Sequence, residues 1–142
     1  MLERQVQPAR INVAIVGGQK CGTTALAHFL SLHSSFFVVN GKEAHVFDDP
    51  LIKQFTTEGI DHRYQALMQG YNGEPWVCDA TPIYGYWKHI PAKLMNYNSE
   101  MKVIFIVRDP VDRAISHYFM EKNRGDEPLG ILQAFWAERA RL

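Results

Sequence analysis

Three short stretches of this sequence gather residue types that can hold an anion or move a proton. In the first, Gly17-Gly18-Gln19-Lys20-Cys21-Gly22-Thr23-Thr24, glycines surround one lysine and lead into two hydroxyls. A glycine-rich turn between a buried strand and a helix leaves backbone N–H groups pointing outward and adds the positive end of the helix dipole. It therefore attracts phosphate or a similar anion. A nucleoside-triphosphate loop needs G-x-x-x-x-G-K-[ST], with the lysine on the β- and γ-phosphates and the hydroxyl on Mg²⁺. Gly17 and Gly22 keep that spacing, but Thr23 stands where the lysine belongs and the lysine sits inside the loop as Lys20. There its ammonium neutralises one transferring group instead of clasping a triphosphate tail, which argues against ATP or GTP. Nor does the segment match G-x-G-x-x-G, so a dinucleotide site has little support. The competing reading is a plain βα turn whose glycines ease packing.

The second stretch is Val107-Arg108-Asp109-Pro110-Val111-Asp112-Arg113-Ala114-Ile115-Ser116-His117-Tyr118, with Asp109 as N-cap and Pro110 at the first helical position. Its apolar residues Val111, Ala114, Ile115, Tyr118 and Phe119 repeat at i, i+3, i+4, i+7 and i+8 and predict a buried stripe. Arg113, Ser116 and His117 share the opposite face, free for a ligand. Taken alone, the stretch reads equally as a capped helix with a solvated polar stripe. The third stretch, Lys42-Glu43-Ala44-His45-Val46-Phe47, places a carboxylate and an imidazole beside a lysine. A Glu near cations is able to take a proton from an attacking hydroxyl or amine. On their own, Lys42-Glu43 is a common solvated pair and His45 a common structural histidine.

These residues need elements to position them. Ile11 to Val16 is a short, mostly β-branched run ending in the glycine pair, as in a strand buried in a parallel sheet. From Thr23 the period changes: Leu26, Phe29, Leu30 and His33 mark one face of a helix. Further strands are predicted at Phe36–Val39, Glu74–Asp79 and Met101–Val107, with helices over Ile60–Met68, from Pro110, and over Leu129–Leu142. Strands alternating with helices imply an α/β fold, a three-layer parallel sheet with its ligands at the strands' carboxyl ends.

The bulk numbers narrow the function class. The chain has 142 residues, 46% hydrophobic, enough for one domain; residues 1–10 read as a polar lead and 11–142 as the domain. Fifteen basic and fifteen acidic residues cancel, so nucleic acid and anionic membranes exert no general pull. Cys21 and Cys78 fit neither a metal site nor a disulfide framework and read as free thiols in a reducing compartment. No apolar run reaches the roughly 18 residues of a membrane span, and the expectation is a soluble, cytoplasmic chain.

Val16 to Leu26 closely resembles the 5′-phosphosulfate loop of sulfotransferases that use PAPS (3′-phosphoadenosine 5′-phosphosulfate), in which a lysine precedes a Gly-Thr-Thr helix opening. The Arg108 to Tyr118 segment resembles the family's 3′-phosphate motif, R-x-P-x-x-R-x-x-S-x-Y. Lys42 to Phe47 resembles the K-E-x-H-F-F segment of its glycan-modifying branch. The resemblance implies a P-loop-like fold with PAPS as co-substrate, held by Gly18, Gln19, Lys20, Cys21, Gly22, Thr23, Thr24, Arg108 and Ser116. It implies a sulfuryl transfer to a hydroxyl or amine acceptor, with the glycan-branch segment leaning toward a carbohydrate, Lys20, Glu43 and His45 as catalytic residues and no metal. Arg108 leaves the strand end beside the helix N-terminus and Ser116 lies two turns, ~9 Å, along the helix, a gap that a guanidinium partly spans. Asp79-Ala80-Thr81-Pro82-Ile83-Tyr84 resembles the acidic-x-[ST]-P-x-Y segment that lines the family's acceptor site, with a proline turn as the other reading. Family domains are longer, so the sequence reads as the N-terminal half of one, truncated at its C-terminus. A non-catalytic nucleotide-binding module and, less so, a nucleotide kinase are the alternatives.

Overall fold

The computed structural model describes residues 10–40 and 43–141; the polar lead, except Arg10, and Lys42 lie outside the described residues. Four strands, β1 (Val13–Gly17), β2 (Phe36–Val38), β3 (Trp76–Ala80) and β4 (Lys102–Phe105), form one sheet in the order β2-β3-β1-β4. All three pairings are parallel. Every residue of β1 is buried, because a central strand with a layer on each face must be apolar on both. The connections carry α1 (Thr23–Ser31), α2 (Thr57–Gln65) and α3 (Ile90–Tyr97), while α4 (Pro110–Arg124) and α5 (Ile131–Arg141) follow β4.

The two faces of the sheet are unequal. One carries a large cluster in which Phe47 packs edge-on against Tyr84 and Tyr97, with ring centroids 5.8 and 5.5 Å apart, beside Tyr64, Ile90 and Leu94. The other holds Val13, Ile15 and Cys78, covered by the half-buried Leu26, Ala27 and Leu30 of α1.

Several expectations are met within a residue or two. Asp109 does cap α4: its Oδ1 accepts N–H bonds from Val111 at 2.9 Å and Asp112 at 3.1 Å. The helix expected at Ile60–Met68 begins earlier, because the Thr56 hydroxyl accepts from Gly59 N at 3.2 Å and starts the helix there. The helix at Ile90–Tyr97 was not expected. The stripe on α4 is a correction: no residue of the helix is fully buried, and Val111 and Phe119 are 62% and 53% exposed. Period 3.6 reports which residues share a face, not whether anything covers it. Here α4 leaves the edge strand β4, whose Val103 and Phe105 are exposed too. Its described neighbour is α5, reached by the Tyr118 hydroxyl donating to Leu129 O at 3.1 Å. No helix among the described residues is long and apolar enough to cross a membrane.

Candidate functional site

The glycine loop leaves the carboxyl end of the central strand, where the parallel ladder continues for one more step. Ile106 N donates to Gly17 O and Gly18 N donates to Ile106 O, both at 2.8 Å. A Cβ at position 17 would come 2.7 Å from the Phe105 ring, so any side chain there would have to displace that ring. Lys20 then adopts a left-handed φ of 65° and Gly22 one of 92°, turning the chain into α1. Two hydrogen bonds brace the turn: Cys21 N donates to Gly18 O at 3.2 Å, and Arg108 Nη1 to Lys20 O at 3.3 Å. The first turn of α1 has no acidic residue and no side-chain cap, so its N–H groups keep their capacity for an anion.

Three cavities open around this loop. One of about 280 Å³ is lined by Gln19, Lys20, Gly22, Thr23, Thr24, Glu43, Ser116 and Arg124. Another, about 320 Å³ and more apolar, lies toward β4 between Gly18, Gln19, Cys21, Tyr86, Phe105, Arg108 and Arg113. A third, about 300 Å³, extends from Thr24 and Glu43 along α1 past His28 toward Asn40. Lys20, Thr23, Thr24, Glu43 and Ser116 therefore share one space. Arg108 lines the neighbouring one, its Nη2 3.8 Å from Asp112, so Arg108 and Ser116 line adjoining cavities that share Gln19 and Pro82.

His45 lines none of these three cavities. It stands behind Glu43, with Nε2 3.4 Å from Glu43 Oε2 and Nδ1 2.7 Å from Asp48 Oδ2. Burial pulls the imidazolium down, but the hydrogen bond and charge of Asp48, followed by the charges of Glu43 and Asp79, outweigh it and leave the pKa raised. Glu43 and His45 both take left-handed backbone, φ 64° and 51°, unusual for residues with a Cβ. Lys42 of the same segment lies outside the described residues.

Asp48 and Arg124 are additions that the sequence reading missed. Arg124 was legible in principle, since Ser116, Met120 and Arg124 are spaced four apart and line the same cavity. Asp48 had only its place three residues after His45 to mark it. The Asp79–Tyr84 segment is a correction: Asp79, Thr81 and Tyr84 are 1%, 0% and 1% exposed, and only Ala80 and Pro82 reach the cavities at Glu43. The two cysteines are free, and burial pushes the Cys78 thiol up to about 12, leaving it inert. Among the described residues, no three His, Cys, Asp or Glu side chains are grouped as a metal site.

A family model described as the sulfotransferase domain matches residues 10–140. Human heparan sulfate glucosamine 3-O-sulfotransferase 3B1 is 36% identical over 104 residues, which is 73% of this chain and 25% of that protein. Mouse heparan sulfate glucosamine 3-O-sulfotransferase 5 is 33% identical over 104 residues, again 73% of this chain and 29% of the relative. The crystal structure of a sulfotransferase from Alicyclobacillus acidocaldarius superposes with a TM-score of 0.79 at 31% identity, over 94% of this chain and 58% of that one. The chain thus spans about a quarter of the length of the curated relatives it matches.

Proposed function

The chain belongs to the PAPS-dependent sulfotransferase family, and on that premise we propose that it moves a sulfuryl group from PAPS to a hydroxyl or amine of a carbohydrate acceptor. One observation carries the reading: the loop lysine, the open helix N-terminus, Ser116 and a carboxylate meet in a single cavity. The relatives' names point to a heparan-type glycan as the acceptor class.

In this reading the loop amides and the α1 N-terminus hold the 5′-phosphosulfate, and Arg108 and Ser116 contact the 3′-phosphate from adjoining cavities. Glu43 takes the proton of the acceptor hydroxyl as its oxygen bonds to sulfur. The bond from sulfur to the 5′-phosphate oxygen breaks, and Lys20 neutralises the charge that gathers on that oxygen. The products are the sulfated acceptor and 3′-phosphoadenosine 5′-phosphate (PAP), with the proton on Glu43. His45 stands behind Glu43 and orients its carboxylate. The cavity beside His28 gives the acceptor a way in to Glu43. Cytoplasmic placement belongs to the same proposal, supported by two free thiols.

Calorimetry with PAP and ATP tests the binding half. PAP should bind and ATP should not, and Lys20→Ala should weaken PAP by about tenfold or more, the worth of one charge-assisted bond. Equal affinity for the two nucleotides, or none for either, sinks the proposal. Transfer of labelled sulfate from PAPS to glycans, phenols and amines tests the chemistry. Glu43→Gln should lower kcat about a hundredfold, and an unchanged rate removes Glu43 from the role of base.

A further inference from the structure

Asp79, one residue before the end of β3, has its carboxylate buried, and among the described residues it has no ion-pair partner; three hydroxyls satisfy it instead. Tyr64 and Tyr84 donate to Oδ2 at 2.6 and 3.0 Å, and Thr81 donates to Oδ1 at 2.6 Å. A phenol has one proton to give. With that of Tyr84 committed to Asp79, its oxygen is left to accept, and it accepts the backbone N–H groups of Val46 at 2.9 Å and Phe47 at 3.1 Å. Those amides directly follow the two left-handed residues, Glu43 and His45, where no β-ladder or helix is available to pair them. The Phe47 ring, fully buried, stands perpendicular to that of Tyr84 and closes the same joint.

We propose that Tyr84, oriented by Asp79, is a positioning residue: its hydroxyl clamps the 43–48 turn and so sets where the Glu43 carboxylate stands relative to Lys20. The clamp itself depends only on these contacts, and its catalytic consequence rests on the function proposed above. Tyr64 supplies an internal control. Its hydroxyl is equally buried and reaches the same carboxylate oxygen, yet its bond goes to Asp79 and not to the turn.

The test compares Tyr84→Phe with Tyr64→Phe in the full chain. Amide hydrogen exchange at Val46 and Phe47 should quicken about tenfold or more in Tyr84→Phe beyond any change at β1 amides, which report global stability. Tyr64→Phe should move Val46, Phe47 and β1 together. PAP affinity should stay within about twofold in both variants, while kcat falls about tenfold in Tyr84→Phe with KM for PAPS unchanged. Equal acceleration in both variants, or protection that survives Tyr84→Phe, overturns the clamp. Should Tyr84→Phe fail to fold, the unmodified chain still decides: Val46 and Phe47 must be protected like β1, and free exchange there refutes the proposal. A wild-type chain that bound no PAP would count against the sulfotransferase function alone, because the exchange results do not depend on a ligand.

Discussion

His45 is a bridge between two carboxylates, Asp48 at Nδ1 and Glu43 at Nε2. Burial opposes the charged ring, but the hydrogen bond to Asp48 and the charges of Asp48 and Glu43 favour it, which is why its pKa is raised. A raised folded-state pKa contributes stability that is fully present below the ordinary histidine value of 6.5 and is lost as pH rises through the folded-state pKa. Following the ring protons by NMR should give a midpoint above 6.5 for His45, moved down by Asp48→Asn; a midpoint at or below 6.5 in the wild type would contradict the bridge. Above that midpoint Glu43 loses its cationic neighbour. The geometry of this trio was hidden in the sequence, because left-handed backbone at Glu43 and His45 is what turns three nearby residues toward one another.

α4 shows how local chemistry starts a helix whatever packs on it later. Its first turn is held by the Asp109 carboxylate, and none of its side chains is fully buried to compensate for a lost cap. Asp109→Ala should therefore cost about 1 kcal/mol in a denaturant melt, and Asp109→Ser much less; equal losses would mean that Asp109 acts through its charge. Such a cap is readable, as are β-branched runs and a helical period, and these made the start of α4, then β1 and β4, then α1 legible. α3 escaped because its signal is brief: Pro91 in the first turn and a face of only Ile90, Leu94 and Tyr97. The inward turn of Asp79, Thr81 and Tyr84 escaped too, since it depends on the 3-10 turn at Pro82–Gly85 pressing against β1 and Phe105. Of the site, the members of the glycine loop were plain from spacing. That Arg108 and Ser116 line different, adjoining cavities was not, because distance along a helix carries no information about which part of a neighbouring loop each residue meets.

Across the molecule, the parts are tied by a few polar joints set in apolar surroundings. Asp61 of α2 accepts from the Tyr97 hydroxyl of α3 at 2.6 Å and from Arg10 Nε, just ahead of β1, at 3.0 Å. Those joints all lie on the richer face of the sheet, with the Asp79 network. Among the described residues the face under α1 has none of comparable depth, and Phe29 on that helix and Leu32 at its C-cap are 66% and 71% exposed. A thin layer opens locally before a thick one. Limited chymotrypsin digestion should therefore cut at Phe29 or Leu32 before any site in α2 or α3, and cleavage in the opposite order would show the layers to be equally firm. Since the same helix presents its N-terminus to the anion cavity, PAP should slow that first cut. Resistance to a protease would then serve as a readout of nucleotide occupancy, with no acceptor and no turnover required.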